Sequence, residues 1–217
     1  MKYEEFRGVS DLVIAEVTTD DDTAYETGEV EELAGAGEIS KTTEASSATK
    51  YYDNIPAIVI NAEGADTITV TSSVPLLATL AKITGKTIDE ATGAMIDSEG
   101  KPKYFALGYK FQKTDGTDRY VWRLKGTFSV PDESSKTKDN GTDSSGMTLT
   151  YTGISTTHKF TKGNSPAKAV VVDDNAESKC DVSAFFETVT DPDKLRTKGV
   201  QSMAAKAAVK TTAKTSK

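Results

Sequence analysis

Three consecutive carboxylates, Asp20-Asp21-Asp22, form the pattern that comes nearest to a metal site in this sequence. Calcium loops of the EF-hand type place oxygen ligands at alternate positions, a glycine at the sixth position and a glutamate at the twelfth. Counted from Asp20, the twelfth position is Glu31, but the sixth is Tyr25, so the glycine of the sharp turn is missing. This spacing leaves only a weak case for calcium, and we predict neither a metal site nor a cofactor.

The residue types that most often carry out catalysis are scarce. The chain has one histidine, His158, and one cysteine, Cys180, which excludes a disulfide within the chain and a C-x-x-C redox pair. His158 lies in a polar stretch without a nucleophile motif, so we predict an ordinary structural histidine. The glycine-containing segment 34–37 is not followed by the helix that a phosphate-binding loop needs. Since Walker A, G-x-S-x-G and H-E-x-x-H motifs are also missing, we predict that the protein is not an enzyme.

Charge is distributed unevenly along the chain. Residues 1–100 carry 20 acids and 6 bases, whereas residues 101–217 carry 13 acids and 20 bases. No Lys or Arg lies between Arg7 and Lys41, and no acid follows Asp193. Opposite charges at the two ends favour head-to-tail contacts between copies of the chain. A solvated acidic face and a solvated basic tail explain the same pattern without any partner.

Alternating apolar and polar residues predict a mainly β protein. The clearest element is 103–128, in which two alternating runs flank an Asp115-Gly116 turn, as in a β-hairpin with one apolar face. Shorter strands are predicted at 11–18, 66–71, 147–151 and 169–172. The continuous apolar run 55–61 predicts a strand that is buried on both faces. The predicted core includes Leu80, Tyr120, Trp122 and Leu124.

One or two short helices accompany the strands. The first is predicted from Val74 to Thr84, with Ser73 as its N-cap and Gly85 at its C-terminal end. Its leucines recur at helical spacing, so one side of the helix is expected to lie against a sheet. A second short helix is predicted at 182–188, around two phenylalanines.

Long polar segments separate these elements, and the acidic segment 20–32 is also predicted to lack packed structure. We predict a single domain over residues 1–193, with long loops at 34–54 and 131–145, followed by a basic Ala/Lys/Thr-rich tail over 194–217. Loops of this length are unusual inside a compact domain, so their abundance favours ordering by neighbouring subunits. The N-terminus carries acids where a signal peptide has an apolar run, and no apolar stretch is long enough to span a bilayer. We therefore expect no membrane partner and synthesis in a cytoplasm.

The order and spacing of several blocks resemble a known family. The chain resembles the major tail proteins, or tail tube proteins, of long-tailed phages that infect Gram-positive bacteria, in the group typified by phage phi13. The blocks that carry this resemblance are 50–54, 63–66, 76–85, 92–93, 104–109, 115–116 and 120–122. They span roughly residues 5–160, and the last 24 residues do not belong to the pattern.

This resemblance implies a fold and an assembly. The fold would be a β-sandwich or half-barrel that closes into a barrel across subunits. Six copies would form a ring, and rings would stack into a hollow conduit for DNA ejection in the virion tail. The implied partners are further copies of the chain, a tape-measure protein and tail terminator or initiator proteins, while DNA passes through without sticking.

The resemblance also implies roles for two sets of residues. The loop around Tyr51, Tyr52, Asp53 and Asn54 would contact the ring above or below. An acidic lumen would repel DNA phosphates. The candidate acids for the lumen, or for a contact between rings, are Asp20, Asp21, Asp22, Glu26, Glu29, Glu31 and Glu32.

An alternative function remains open from the residues. A β-sandwich on a virion or cell surface that binds carbohydrate or protein would have the same composition. Such a binding or adhesion module is expected to stay monomeric, whereas a tube subunit is expected to assemble.

Overall fold

A computed structural model describes residues 3–135, 137 and 145–199. The strands are β1 (Phe6–Asp20), β2 (Tyr25–Thr27), β3 (Glu31–Glu32), β4 (Ala36–Tyr52), β5 (Ile55–Ser72), β6 (Thr87–Ile88), β7 (Met95–Ile96), β8 (Phe105–Lys113), β9 (Asp118–Phe128), β10 (Met147–Ile154) and β11 (Ala169–Asp174). The α-helix α1 covers Leu77–Thr84, and a short 3-10 helix covers Pro192–Lys194. The protein is therefore mainly β, as its alternating sequence predicts.

Nine of these strands form one antiparallel, sandwich-like sheet within the described residues. Its main order is β2-β1-β8-β9-β10-β5-β4. The sheet branches at β9, because residues 125–128 pair with β10 whereas residues 118–123 pair with β11 on the same edge. At the far side, β3 covers the middle of β1 and β2 covers its end, so short acidic strands occupy the free edge of β1.

Both faces of the sheet are buried, each against its own core. One core lies beneath α1 and is built from aliphatic and aromatic side chains of β1, β5, β8 and β10, with Leu80 and Ile83 from the helix. The other core lies beneath the segment 155–199 and contains Trp122, Leu124, Phe160 and Phe185. Residues that alternate along the central strands therefore supply both cores in turn.

The hairpin predicted over 103–128 is confirmed as β8 and β9, joined by a turn in which Gly116 has φ 84°. The prediction of one apolar face is wrong, since alternate residues enter opposite cores. Register shifts between the pairs Phe105–Gly126 and Leu107–Arg123, which gives β9 one extra residue. Because of this bulge, Phe128 packs in the core beneath α1, whereas Trp122 packs in the other core. Without the extra residue, two positions an even number of residues apart would lie on the same face of the strand.

Helix α1 ends as predicted but begins later. Gly85 adopts a left-handed conformation (φ 70°), and its N–H donates to the carbonyl groups of the last turn. The N-terminal prediction is wrong: the helix begins at Leu77 rather than Val74, and no side chain caps it. The Ser73 hydroxyl instead accepts a hydrogen bond from the backbone N–H of Gly35. The predicted helix at 182–188 is a series of turns.

Two segments predicted without packed structure contain strands. The predicted loop 34–54 is mostly the 17-residue strand β4, because its Ser, Thr and Ala residues pair with β5 almost to the turn. The acidic segment 20–32 contains β2 and β3. The polar composition of both segments predicts solvent-exposed loops. Both are nevertheless ordered, because their backbone groups form hydrogen bonds with a longer strand.

The last segments lie only partly within the described residues. The predicted loop 131–145 has no regular structure at 131–135, and positions 136 and 138–144 lie outside the described residues, as do 200–217 of the basic tail. Residues 196–198 pair with 179–181 and therefore belong to the folded body. In the described part of the chain, no helix has the length and apolar character needed to cross a membrane.

Candidate assembly interface

A two-stranded hairpin extends beyond the body of the protein. Strand β10 pairs with β5 only from Asp66 to Ser72, whereas β4 and β5 continue to pair with each other as far as Tyr52 and Ile55. Every residue from 44 to 64 is exposed. We call residues 44–64 the arm. In the described residues its strand β4 is also the edge of the sheet, and its β5 strand has no partner other than β4, so both faces and both edges of the arm are open.

The tip of the arm is a tight two-residue turn. Asp53 and Asn54 both adopt left-handed backbone conformations, with φ 52° and 64°. Positive φ at both central residues is typical of the type I′ turn, whose twist matches that of the flanking strands. Asp and Asn tolerate this conformation better than most residues. The predicted inter-ring loop of Tyr51, Tyr52, Asp53 and Asn54 is thus the end of a strand and a turn at the tip of the arm.

Large apolar side chains lie on both faces of the arm. Ile58 and Ile60 share one face with their partners Lys50 and Ala48, whereas Val59 lies on the other face. These three residues are 48%, 52% and 60% exposed. The exposed apolar set is completed at the tip by Tyr51, Tyr52 and Ile55. The prediction that 55–61 is buried on both faces is therefore wrong for the described part of the chain, in which β4 is the only element that reaches this part of β5.

A buried polar cluster fixes the base of the arm. Asp66, which is 3% exposed, accepts hydrogen bonds from Arg123 Nη1 at 3.0 Å and from Thr43 Oγ1 at 2.8 Å. Lys41 and Lys168 place their ammonium groups 3.8 and 4.0 Å from the same carboxylate. Lys168 also donates to the carbonyl oxygen of Gly64. Three cations, from strands β4 and β9 and from the loop before β11, therefore hold β5 at the point where it enters the body.

The strand β5 carries a bulge next to this cluster. Thr43 pairs with Asp66 and Ala45 pairs with Glu63, so β5 has one residue more than β4 in this interval. Gly64 lies in the bulge, and a Cβ atom there would approach the Glu44 side chain to 2.8 Å. A bulge bends a hairpin and increases its twist. The direction of the arm is therefore set by backbone geometry together with the charges around Asp66.

The seven candidate acids do not form one surface. The Asp20 carboxylate is nearly buried and accepts hydrogen bonds from Lys125 Nζ and from the backbone N–H groups of Thr157 and His158. Burial acts to raise the pKa of Asp20, but the hydrogen bonds from Lys125 and these amides outweigh it and lower the pKa. Asp20 therefore ties the end of β1 to the loop at 157–158 and is not free to line a channel or meet a partner.

Two further acids have contacts within the chain. Asp21 accepts hydrogen bonds from the hydroxyl and N–H of Thr23 and from the N–H of Ala24, and the Thr23 hydroxyl is the main cause of its lowered pKa. Glu31 pairs with Lys82 of α1. The remaining candidates are exposed on the acidic strip beside the edge of β1, and no described residue forms an ion pair with them: Asp22, Glu26, Glu29 and Glu32.

The predicted core residues are largely confirmed. Trp122 and Leu124 are fully buried, and the indole N–H of Trp122 donates to the carbonyl oxygen of Phe185 at 2.8 Å. Leu80 is 6% exposed and packs in the other core. Tyr120 is only half-buried, because it lies at the border of its core beside an open cleft.

The single histidine and the single cysteine of the chain both pack against other parts of the fold. The His158 ring packs edge-on against Phe160 with centroids 5.0 Å apart, and its Nδ1 lies 3.3 Å from the Asp21 carbonyl oxygen. Cys180 is half-buried, which raises the pKa of its thiol. The segment 34–37 leads into strand β4 rather than a helix. No group of three or more His, Cys, Asp or Glu side chains is placed to hold a metal ion among the described residues.

The sequence matches no protein-family model, and no curated protein matches it.

Proposed function

We propose that this chain is the structural subunit of a phage tail tube, in which six copies form a ring and rings stack into a hollow conduit for DNA. The observation that carries the proposal is the arm. An element that exposes apolar side chains on both faces is adapted to being covered by another protein surface. In a protein that assembles with itself, the nearest such surface belongs to the next copy.

The energetics of the arm support a partner. An isolated two-stranded hairpin is marginally stable in water. The arm resembles one, since among the described strands residues 44–64 pair only with each other. Covering one large aliphatic side chain contributes about 1.5–3 kcal/mol. The four exposed residues Ile55, Ile58, Val59 and Ile60 therefore offer a substantial driving force for association.

The composition of the arm also favours contact with protein. Between Ala45 and Ala62 the only charged side chains are Lys50 and Asp53. An exposed, nearly uncharged edge strand would pair with other chains indiscriminately unless its natural partner covers it. We infer that the arm seats on a neighbouring subunit and that the open edge of β4 is closed by the same assembly, which would complete a barrel across subunits.

The acidic strip supplies the second part of the proposal. Asp22, Glu26, Glu29 and Glu32 remain exposed after the other candidate acids have found partners within the chain. Carboxylates that face a conduit repel the phosphates of DNA and let it slide. We propose these four residues, rather than all seven, as the acids that line the lumen.

Electron microscopy over a concentration series, combined with solution mass, tests the proposal. Wild-type protein is expected to form rings or tubes. The variant with Ile58→Thr and Ile60→Thr keeps β-branched residues but removes apolar surface from the arm. Because each buried isoleucine contributes about 1.5–3 kcal/mol, this variant is expected to need at least about tenfold more protein to assemble.

Val171→Thr is the matched control, because Val171 is 51% exposed on β11, away from the arm. It is expected to assemble like the wild type. Assembly of the arm variant at the wild-type concentration would refute the role of the arm. A 23.2 kDa monomer at every concentration would show that the chain does not assemble without an initiator protein, and would bring the alternative, a binding or adhesion module on a virion or cell surface, level with the tube.

A further inference from the structure

An open cleft lies between the face of the sheet around Tyr120 and the turns that follow residue 180. Its volume is about 750 Å³. Strands β1, β8, β9 and β11 supply one wall, and the segment 181–187 supplies the other. The cleft lies at the border of the second core and outside the arm, and its rim residue Glu187 lies near Glu29 of the acidic strip.

Aromatic rings form the floor of the cleft. The Tyr120 ring packs against Phe185 and Phe186 with centroid separations of 5.5 and 5.6 Å, and Phe186 packs against Trp122 at 5.7 Å. Tyr120 and Phe186 are only half-buried, so parts of both rings remain open to the cleft. Such rings attract cations and the aliphatic stems of lysine side chains.

Carboxylates dominate the rim of the cleft. Four acids line it, Asp11, Asp174, Asp181 and Glu187, against two lysines, Lys110 and Lys198, so the net charge of its lining is −2. Lys110 is occupied by Asp11 at 2.7 Å, and Lys198 by Asp174 at 2.9 Å. Glu187 is exposed, and no described residue forms an ion pair with it. The cleft therefore combines an aromatic floor with unneutralised negative charge.

The chain itself delivers a cation to this cleft. Residues 196–198 pair with 179–181, which brings Lys198 onto the rim, and the described chain ends one residue later at Gly199. The following residues, 200–217, are called the tail segment. It has no acid and four lysines at Lys206, Lys210, Lys214 and Lys217, together with the apolar residues Met203 and Val209.

We propose that the cleft is a binding site for the tail segment of the same chain. Its lysines pair with the rim carboxylates, and their stems, with Met203 or Val209, cover the exposed parts of Tyr120 and Phe186. The reach is sufficient, because the seven residues from Gly199 to Lys206 span up to about 23 Å when extended. A tether of this kind gives an effective concentration in about the millimolar range, so weak individual contacts suffice.

Carbodiimide cross-linking of the full-length protein tests this site. The reagent joins a carboxylate to a lysine amine only where the two are in contact, and mass spectrometry identifies the pair. Cross-links from Lys206, Lys210 or Lys214 to Glu187, Asp181 or Asp174 are expected. They are expected to weaken at high salt, because exposed ion pairs are screened. Tail cross-links that go mainly to the acidic strip, or without preference to any exposed acid, would overturn the proposal.

A mixture of 15N-labelled and unlabelled protein at a concentration where the protein is monomeric distinguishes the same chain from a second copy. Each cross-link is expected to join two labelled peptides or two unlabelled peptides, because both peptides come from the same chain. Predominantly mixed pairs would overturn docking within the chain and place the tail segment on a neighbour. An absence of any tail cross-link to the cleft would assign the cleft to an outside ligand, which contradicts the proposal.

Neutralising variants provide the matched comparison. Asp181→Asn with Glu187→Gln removes two charges from the rim, while Asn keeps an acceptor for the N–H of Ser183. Cross-links from the tail to Asp11 and Asp174 are expected to fall about two- to fivefold. The control, Glu90→Gln with Glu99→Gln, removes two exposed charges near α1, which covers the other core, and is expected to leave them unchanged. Equal yields in both variants would contradict the site.

Discussion

Arg123 and Asp66 form an ion pair at the base of the arm, with Nη1 3.0 Å from Oδ2 and with side chains that are only 12% and 5% exposed. Arg123 lies on the central strand β9 and also donates from Nε to the Tyr109 hydroxyl. Asp66 lies on β5, directly after the bulge. The pair thus links the middle of the sheet to the element proposed to contact a neighbour.

Asp66→Ala is expected to destabilise the protein by about 3–5 kcal/mol, because it leaves the buried charge of Arg123 without its partner. The free energy of unfolding in urea measures this loss. Glu133→Ala, which removes an exposed carboxylate, is the control and is expected to stay within about 0.5 kcal/mol of the wild type. If Asp66→Ala matches that control, the cluster does not stabilise the base of the arm.

Gly126 lies at a position where the fold leaves no room for a Cβ atom. A Cβ atom there would collide with the Thr152 carbonyl oxygen and the Tyr151 ring. Tyr151 is fully buried, and its hydroxyl donates to the carbonyl oxygen of Phe105, so its ring is held in place. Gly126→Ala is therefore expected to cost about 1–3 kcal/mol or more, as overpacked cores do.

Thermal and urea denaturation of Gly126→Ala and Gly8→Ala provide the comparison. Gly8 also lies in a strand, but a Cβ atom there would meet no atom within 4 Å. Gly8→Ala is expected to change the free energy of unfolding by less than about 0.5 kcal/mol. Similar values for the two variants would show that β9 and β10 can separate to admit a methyl group.

The strands that the sequence predicts well are those whose side chains are buried within the chain. The 103–128 hairpin is evident because aromatic and β-branched residues alternate on both sides of Asp115-Gly116. The core positions Leu80, Trp122 and Leu124 follow from the same periodicity. The sequence could not predict which face of the sheet Phe128 lies on. One extra residue in β9 reverses the alternation of faces, and the residue types around it do not reveal this bulge.

The arm shows why the candidate interface was harder to predict than the core. The apolar run 55–61 indicates burial, but an apolar pattern does not say whether the covering surface belongs to the same chain. Its partner strand β4 consists mainly of Ser, Thr and Ala, which indicate a loop, although its backbone pairs with β5 throughout. The available signal was an apolar run directly after Asp53-Asn54, a turn suited to joining two paired strands.

Trp122→Ala tests the second core, which the segment 155–199 covers. The side chain is fully buried, and its N–H bond to Phe185 anchors the turns of that segment. Truncation is expected to destabilise the protein by about 3–5 kcal/mol in urea denaturation. Val171→Ala, at an exposed position of β11, is the control. A loss below about 1 kcal/mol for Trp122→Ala would show that the segment is held by other contacts.

The ionised carboxylate of Asp173 is expected to make the free energy of unfolding depend on pH in the acidic range. The bidentate hydrogen bond from Arg119, at 2.6 and 2.8 Å, is the main cause that lowers the pKa of Asp173 from 3.8 to about 2, and Lys113 at 3.1 Å adds to it. Because the folded protein binds this proton less readily than the unfolded chain, the ionised form stabilises the fold at any pH above about 4. That contribution is lost as the pH falls from about 4 to about 2.

The difference in unfolding free energy between the wild type and Asp173→Asn isolates this contribution from that of the other carboxylates. We expect the difference to be constant above about pH 4 and to shrink steadily toward pH 2. Asp132→Asn, at an exposed carboxylate outside any described ion pair, serves as the control and is expected to give no pH-dependent difference. A difference for Asp173→Asn that stays level between pH 4 and pH 2 would mean that Arg119 and Lys113 do not stabilise the ionised carboxylate of Asp173.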